Sequence, residues 1–316
     1  MTNLNYRQQL ADIARDYYLS QATITEISEK YHLSRYLITK SLSEAIDNGI
    51  VQILIQDPIN RNLELEAKFK KLFTIKNVYI IKDADSFNDN SDNIIAFAAQ
   101  IIQELISDSK IVAVTWGQTV LNIINHFQVQ AQENLLFIPL TGANLKTDSP
   151  AGSTPVVQRA AAKFGAHYQT LPAPLYIMND QVCQQLAEEA AIAPVFEKMN
   201  QADLLFTGLG TWASIESIPL WQQQEKQILA GLQSQQVAGL LYGRPFDCDG
   251  NILNTKHDKL FGASLDTILQ IPIRIGIVKS KFKSVALLGA LRGCLLTDVI
   301  MTESVAQRVL LDNKVK

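Results

Sequence analysis

Two groups of residues in this chain have types and spacing that could do chemistry. The first is Ser34, Arg35, Tyr36, Thr39 and Lys40, at the start of a short helical segment. An arginine forks onto a guanine edge, a lysine meets phosphate, and hydroxyls bond either, so this set suits nucleic-acid reading. The second is a series of small and polar residues that end apolar runs. Gly117-Gln118-Thr119 follows KIVAVTW, Thr141, Gly142 and Asn144 follow LLFIPL, and Gly208 and Gly210 close DLLFTGLG. Glycine lets a backbone approach a ligand, and amides with hydroxyls hold phosphate or sugar oxygens. Charged candidates are fewer. Arg244 in GRPFDCDG could fork onto a phosphate. Asp247 could accept sugar hydroxyls or fix its own turn. Lys283 in KSKFKS precedes a helix, where it could meet an anion or be a plain surface lysine.

Other chemistries find little support. The histidines (His32, His126, His167, His257) are scattered, and Cys183, Cys248 and Cys294 lie far apart, so no metal motif or disulfide framework is expected. Reduced thiols in a cytoplasmic protein are the plain reading. Serine-hydrolase, P-loop and dinucleotide motifs are absent, and no cofactor is implied. Asp148, Asp203, Asp247 and Asp249 could supply a general base, but no acid–base constellation stands out. Two functions from different classes remain: a DNA-binding regulator, and a sugar-phosphate isomerase or deaminase with an added N-terminal module. A partner-binding scaffold would leave the polar strand ends unexplained.

The elements that must position these residues follow from periodicity. Residues 4–18 predict an amphipathic helix with Leu10, Ile13, Ala14 and Tyr17 on its apolar side. Thr25 stands where an N-cap belongs for a helix running to Tyr31, His32-Leu33-Ser34 makes a turn, and Ser34 caps a second helix. That helix carries Leu37, Ile38, Ser41, Leu42 and Ala45 inward and ends at Asn48-Gly49. This is a helix-turn-helix, whose second helix would enter the major groove. IVQILIQ (50–56) reads as a short strand or wing, and Asp57-Pro58 marks the boundary between a unit at 1–57 and one at 58–316.

Beyond it, strands alternate with helices: NVYIIK, KIVAVTW, LLFIPLTG, DLLFTGLG, IRIGIVK and DVIMT are the expected strands. Polar loops are expected over Ser86–Asp92 and Ala143–Thr154. Helices are expected from about Asn93 to Ile106 and across 181–200 and 217–236. Alternation of this kind implies an α/β fold with a parallel sheet. Ligands in such sheets sit beyond the carboxyl ends of the strands. With 316 residues, 47% apolar, the chain can bury a substantial core. Its net charge is −3, and residues 1–56 hold five basic and six acidic side chains, so a lone copy of that unit should bind DNA weakly and dimerisation is expected. The polar N-terminus is not a signal peptide, and no apolar run reaches spanning length, so no membrane is involved.

The order of motifs resembles the SorC family of bacterial sugar-responsive transcriptional regulators. The carrying residues are Tyr17-Tyr18 with Gln21, Ser34-Arg35, Trp116-Gly117-Gln118-Thr119, Pro139-Leu140-Thr141-Gly142, Gly208-Leu209-Gly210, Arg244 to Gly250, and GALRG…TESVAQRVLL. The resemblance covers nearly the whole chain and looks closest to the sorbose-operon regulators. It implies a helix-turn-helix domain joined to a large Rossmann-like effector domain, similar to sugar-phosphate isomerase and deaminase folds, that binds a sugar or sugar phosphate without turning it over. It also implies homotetramers, dimers of dimers, on operator DNA. By carry-over the effector contacts would be Gln118, Thr119, Thr141 to Asn144, Thr154, Arg244 and Lys283. The chain departs from the family pattern at Lys279-Ser280, where many members have Gly-Gly, at Ala143, where a second glycine is expected, and at Thr141, where some relatives are basic. Sorbose or a phosphorylated ketose is the expected effector.

Overall fold

The computed structural model describes residues 3–51, 60–83, 87–144 and 150–314. The chain divides into two compact units, residues 1–58 and 59–316.

The described residues of the first unit form three helices: α1 (Asn3–Tyr18), α2 (Ile24–Tyr31) and α3 (Arg35–Asp47). Leu10, Ile13 and Ala14 of α1 meet Ile27 of α2 and Ile38, Leu42 and Ala45 of α3 in one buried cluster. Two expected core positions fall outside it. Tyr17 is exposed and stacks edge-on against Tyr18, and Leu37 is 42% exposed. The N-cap of α2 is Thr23, not Thr25. Its hydroxyl accepts from Glu26 N at 3.3 Å while Glu26 Oε2 accepts from Thr23 N at 2.8 Å. Both exposed helix-end donors are thus satisfied reciprocally. His32 turns the chain in the left-handed region, at φ 52°. The expected wing at 50–56 lies almost wholly outside the described residues.

In the second unit the strands are β1 (Asn77–Ile81), β2 (Ile111–Val114), β3 (Leu136–Pro139), β4 (His167–Tyr168), β5 (Leu204–Gly208), β6 (Gly239–Leu241), β7 (Arg244–Phe246), β8 (Ile273–Val278) and β9 (Asp298–Thr302). Seven form a parallel sheet in the order β1-β9-β8-β5-β2-β3-β4, and β6 and β7 form an antiparallel hairpin. Helices cover both faces, as the near-continuous apolar strands require. Val112, Val114, Phe137, Leu204, Phe206, Ile275, Ile277 and Ile300 point to one face, under helices α5 (Phe87–Ser107), α6 (Gln118–His126) and α7 (Ser153–Phe164), once α4 (Leu63–Leu72) has been passed. Ala113, Leu205, Val278, Val299 and Met301 point to the other, with Phe69 of α4 and the helices Ala193–Met199, Ser284–Arg292 and Glu303–Lys314. The period of two along each strand sorts the side chains into these two cores.

Several expected boundaries move. Helix α5 begins at Phe87, so most of the polar stretch 86–92 is helical and not a loop. The helix expected over 181–200 is two, Asp180–Glu188 and Ala193–Met199, with the second opened by Pro194 in its first turn. The segment 217–236 breaks into Pro219–Gln223, Glu225–Ile228 and a single 3₁₀ turn at Ser234–Gln236. Ala230 and Gly231 take positive φ inside it, which interrupts a continuous helix.

Candidate functional site

From β2 the chain steps to β3 and β4 on one side; from β5 it steps to β8 and β9 on the other. β2 and β5 are neighbours, so the crevice beyond their carboxyl ends is the topological switch point of the sheet. A cavity of about 320 Å³ opens there. That is the lower end of the size range for small-molecule sites.

Two threonines hold its floor. The buried hydroxyl of Thr115, just after β2, donates to Thr207 Oγ1 at 3.0 Å, and the Thr207 hydroxyl lies 3.0 Å from Gly208 O. Gly117 then caps α6. Its φ of 120° is one that side-chain-bearing residues rarely adopt, although a Cβ there would touch nothing, so the backbone angle and not space demands glycine. Its own N–H donates to Ala151 O at 2.9 Å. Gly117 offers no side-chain acceptor to the first-turn amides of α6, and the residues of that turn, Gln118, Thr119 and Val120, line the cavity at the positive end of the helix dipole. Gln118 and Thr119 line the same edge, and the Gln118 amide donates to Asn122 Oδ1 at 2.7 Å.

Lys283 is the single charged side chain among the described lining residues. Its ammonium donates to Leu209 O at 2.6 Å. Burial, and then the neighbouring charge of Lys279, push its pKa below the usual lysine value. One wall is aromatic: Trp221 stands edge-on to Trp116 at 6.4 Å and to Tyr176 at 5.2 Å. The buried phenol of Tyr176 donates to Gly243 O at 2.7 Å. The described lining holds no carboxylate, imidazole or thiol.

Of the twelve residues singled out from the sequence, the cavity brings together Gly117, Gln118, Thr119, Asn144, Gly208, Gly210 and Lys283. Thr141, Gly142, Thr154, Arg244 and Asp247 do not line it. Thr141 is buried and turned to Gly142 O, and Gly142 packs so tightly on Pro174 that a Cβ would come within 2.4 Å of its carbonyl oxygen. Thr154 sits in the first turn of α7. Arg244 is engaged elsewhere: Nε donates to Asp258 Oδ2 at 2.6 Å and Nη2 to Ala263 O at 3.0 Å. Asp247 fixes its own turn, accepting from Asp249 N, Asn251 N and the Asn251 amide. Burial raises its pKa, but the Asn251 bonds and the turn amides outweigh that and hold it below the usual carboxylate value. Arg244→Met is therefore expected to cost about 3 kcal/mol of stability, since it strands Asp258. Denaturant unfolding measures this; an unchanged midpoint with lost ligand affinity would place the guanidinium on the ligand instead.

Among the lining residues that sequence reasoning left out are Tyr176, Ser214, Ser217, Trp221 and Tyr242. The first four come from loops and short helical pieces with no strand-end signature, and Tyr242 from the tight turn after β6. The aspartates considered as bases lie elsewhere. Asp203 accepts from Lys110 N and Ile111 N at the amino end of β2, and Asp249 pairs weakly with Arg292. Asp148 lies outside the described residues.

In the first unit, Ile38 turns inward and leaves Arg35, Tyr36, Thr39 and Lys40 exposed at the start of α3. Ser34 caps the helix, its hydroxyl accepting from Leu37 N at 3.3 Å, which leaves its own proton to donate. The Thr39 hydroxyl bonds back to Arg35 O at 3.1 Å. Lys40 is 3.8 Å from Glu44, an exposed and weak pair. Among the described residues no carboxylate pairs with Arg35.

A parallel doubly wound sheet with a polar, singly charged crevice at its switch point defines a small-molecule-binding α/β domain. Residues 57–311 match the family described as "Putative sugar-binding domain", and the chain belongs to that family. The SorC resemblance carried by the motifs stands with it. Among curated relatives, the deoxyribonucleoside regulator of Bacillus subtilis is 23% identical over 312 residues, covering 97% of this chain and 98% of that protein. The transcriptional regulator LsrR of Escherichia coli K12 is 24% identical over 311 residues, covering 96% and 94%. The crystal structure of the full-length sorbitol operon regulator SorC from Klebsiella pneumoniae superposes with a TM-score of 0.78 at 20% identity, covering 98% of this chain and 99% of that one. The fold is thus shared along nearly the entire chain. No helix among the described residues is long and apolar enough to cross a membrane.

Proposed function

We propose that this chain is a sequence-specific transcriptional regulator of a carbohydrate-catabolism operon. Its operator affinity is set by a sugar or sugar phosphate bound in the switch-point crevice. The observation that carries the reading is one polypeptide holding a three-helix unit with exposed Ser34, Arg35, Tyr36, Thr39 and Lys40, and a sugar-family domain with a ligand-sized cavity. The relatives named above, both regulators, agree with it. Binding without turnover is supported by the described lining, whose titratable side chains are the buried phenols of Tyr176 and Tyr242 and the Lys283 ammonium, each bonded to a carbonyl. The protein acts in the cytoplasm as a homotetramer, a dimer of dimers, without metal or cofactor. Paired half-sites compensate for the balanced charge of residues 1–56.

The test is a thermal-shift screen of free and phosphorylated ketoses, aldoses and polyols, followed by binding to DNA selected from a random pool. A true effector raises the melting temperature, as a ligand selective for the native state must. It also changes DNA affinity, and DNA changes effector affinity by the same factor. A sugar that stabilises the protein and leaves DNA affinity untouched would refute the regulatory coupling. Catalytic conversion of a sugar phosphate would favour the isomerase alternative.

A phosphorylated effector adds a pH signature. The Lys283 ammonium and the amides of α6 are the anion donors of the crevice. The Lys283 pKa lies below the ordinary value, so the ammonium loses its proton, and the site loses anion affinity, at a lower pH than an unperturbed lysine would allow. Lys283→Met is expected to weaken a sugar phosphate by roughly 10- to 100-fold, leave the free sugar nearly unchanged, and abolish the alkaline decline. Calorimetric titration across the pH range measures all three.

A further inference from the structure

The crevice has two halves of different origin. The strand-edge half consists of Thr115 to Thr119, Gly208, Gly210 and Lys283. The other half comes from one excursion, residues 211–236, between β5 and β6. It adds Ser214, Ile215, Ser217, Ile218 and Trp221 to the lining. This excursion does not share the cores that hold the sheet. Ile215, Ile218, Trp221, Ile228 and Leu229 pack in a third cluster with Leu175, Tyr176, Leu240 and Leu260. The cap's core is therefore separate from the two cores of the sheet and meets the strand edge through Trp116.

The two halves also differ in chemistry. The strand edge offers amides, hydroxyls, a cation and the indole of Trp116. The cap offers two isoleucines, an indole, and two hydroxyls with defined remaining capacity. Ser214 Oγ accepts from Thr211 N at 3.1 Å, which leaves its proton to donate. The Ser217 hydroxyl donates to Ser214 O at 2.9 Å, which leaves its lone pairs to accept.

We propose that the cap 211–236 selects the effector. Trp221 packs on a face of the sugar that carries only C–H groups, and Ser214 and Ser217 read one hydroxyl beside it. This rests on the sugar-binding reading above and adds to it the part of the site that tells one sugar from another. The strand edge holds the anionic or hydroxyl-rich end common to many sugars. The cap sets which carbon skeleton fits. Exchanging cap residues re-tunes specificity without disturbing the sheet.

The chain carries its own reporter. All three tryptophans, Trp116, Trp212 and Trp221, belong to this region: two line the cavity and Trp212 packs on the cap's cluster. The experiment titrates the full chain with ribose, ribose 5-phosphate, 2-deoxyribose 5-phosphate, fructose, fructose 6-phosphate, sorbose, glucose and glucose 6-phosphate. Calorimetry gives affinities, and intrinsic fluorescence is read in a Trp116→Phe, Trp212→Phe variant whose only indole is Trp221. Trp221 emission is expected to shift on saturation. Trp221→Leu is expected to weaken the best sugar about tenfold, the worth of one lost aromatic contact. Ser217→Ala, at an exposed position that the fold tolerates, is expected to change the affinity ratio of the two best sugars several-fold. Inorganic phosphate should bind Trp221→Leu and Ser217→Ala as it binds the parent. An unchanged ranking in Ser217→Ala together with silent Trp221 emission in a sugar-bound protein overturns the cap's role. A wild-type chain that binds none of the panel overturns the sugar reading itself, and this inference with it.

Discussion

Arg35→Ala should remove sequence-specific DNA binding while the melting temperature stays that of the parent. The side chain sits at the first position of α3, exposed, with no carboxylate neighbour among the described residues. The early residues of a recognition helix are those that reach base edges. A guanidinium forked onto guanine discriminates by about 1–3 kcal/mol, or roughly 5- to 150-fold per half-site, and the loss multiplies over two half-sites. Nothing in the fold of α3 depends on it, since the helix is anchored by Ile38, Leu42 and Ala45 and capped by Ser34. Fluorescence anisotropy on matched and scrambled DNA reads both affinities. Lys40→Ala is the control, expected to weaken all sequences alike and to lower the salt slope by about one. An Arg35→Ala protein with the parent's sequence preference would remove α3 as the reading helix.

Gly250→Ala should unfold the larger unit or bring it close to unfolding. Gly250 closes the GRPFDCDG turn at φ 88°. A Cβ there would lie 2.3 Å from Gly293 Cα and 2.4 Å from both Gly289 O and Gly293 N, all of them backbone atoms at the end of the helix Ser284–Arg292. Left-handed strain costs about 1–2 kcal/mol and forced overpacking about 1–3 more. The sum, on the order of 2–5 kcal/mol, is a large share of the 5–15 kcal/mol typical of a folded domain. Denaturant melts should show the midpoint falling with little change in slope. A melt superimposable on the parent's would mean that the turn relaxes away from the helix.

That turn shows why part of the site was hard to read from sequence. Arg244 and Asp247 have the types of ligand contacts, and a linear motif cannot reveal that Asp258 and Asn251 engage them first. The strand ends were legible because their chemistry is local: an apolar run, then glycine and hydroxyl, at 115–119 and 207–210. The cap was not, since Ser214, Ser217 and Trp221 reach the cavity only through tertiary packing. In the first unit, the Thr23–Glu26 capping box was present in the sequence as T-I-T-E, two residues ahead of the cap inferred from periodicity. Leu37 was placed inward because it neighbours Ile38, and one residue on a helix is about 100° of rotation. Six of the seven strands described in the sheet were readable, because buried strands leave apolar runs; β4, the exposed pair His167-Tyr168, leaves none.

The strand order has a consequence for how the protein comes into being. Among the described strands β1 is made first and pairs with β9, which is made last. A ribosome therefore releases the three-helix unit, able to fold at once, long before the neighbouring sheet can close. Lys283 is also synthesised after nearly every other wall of the crevice. For the duration of synthesis, a nascent chain carries its N-terminal helices ahead of any complete crevice.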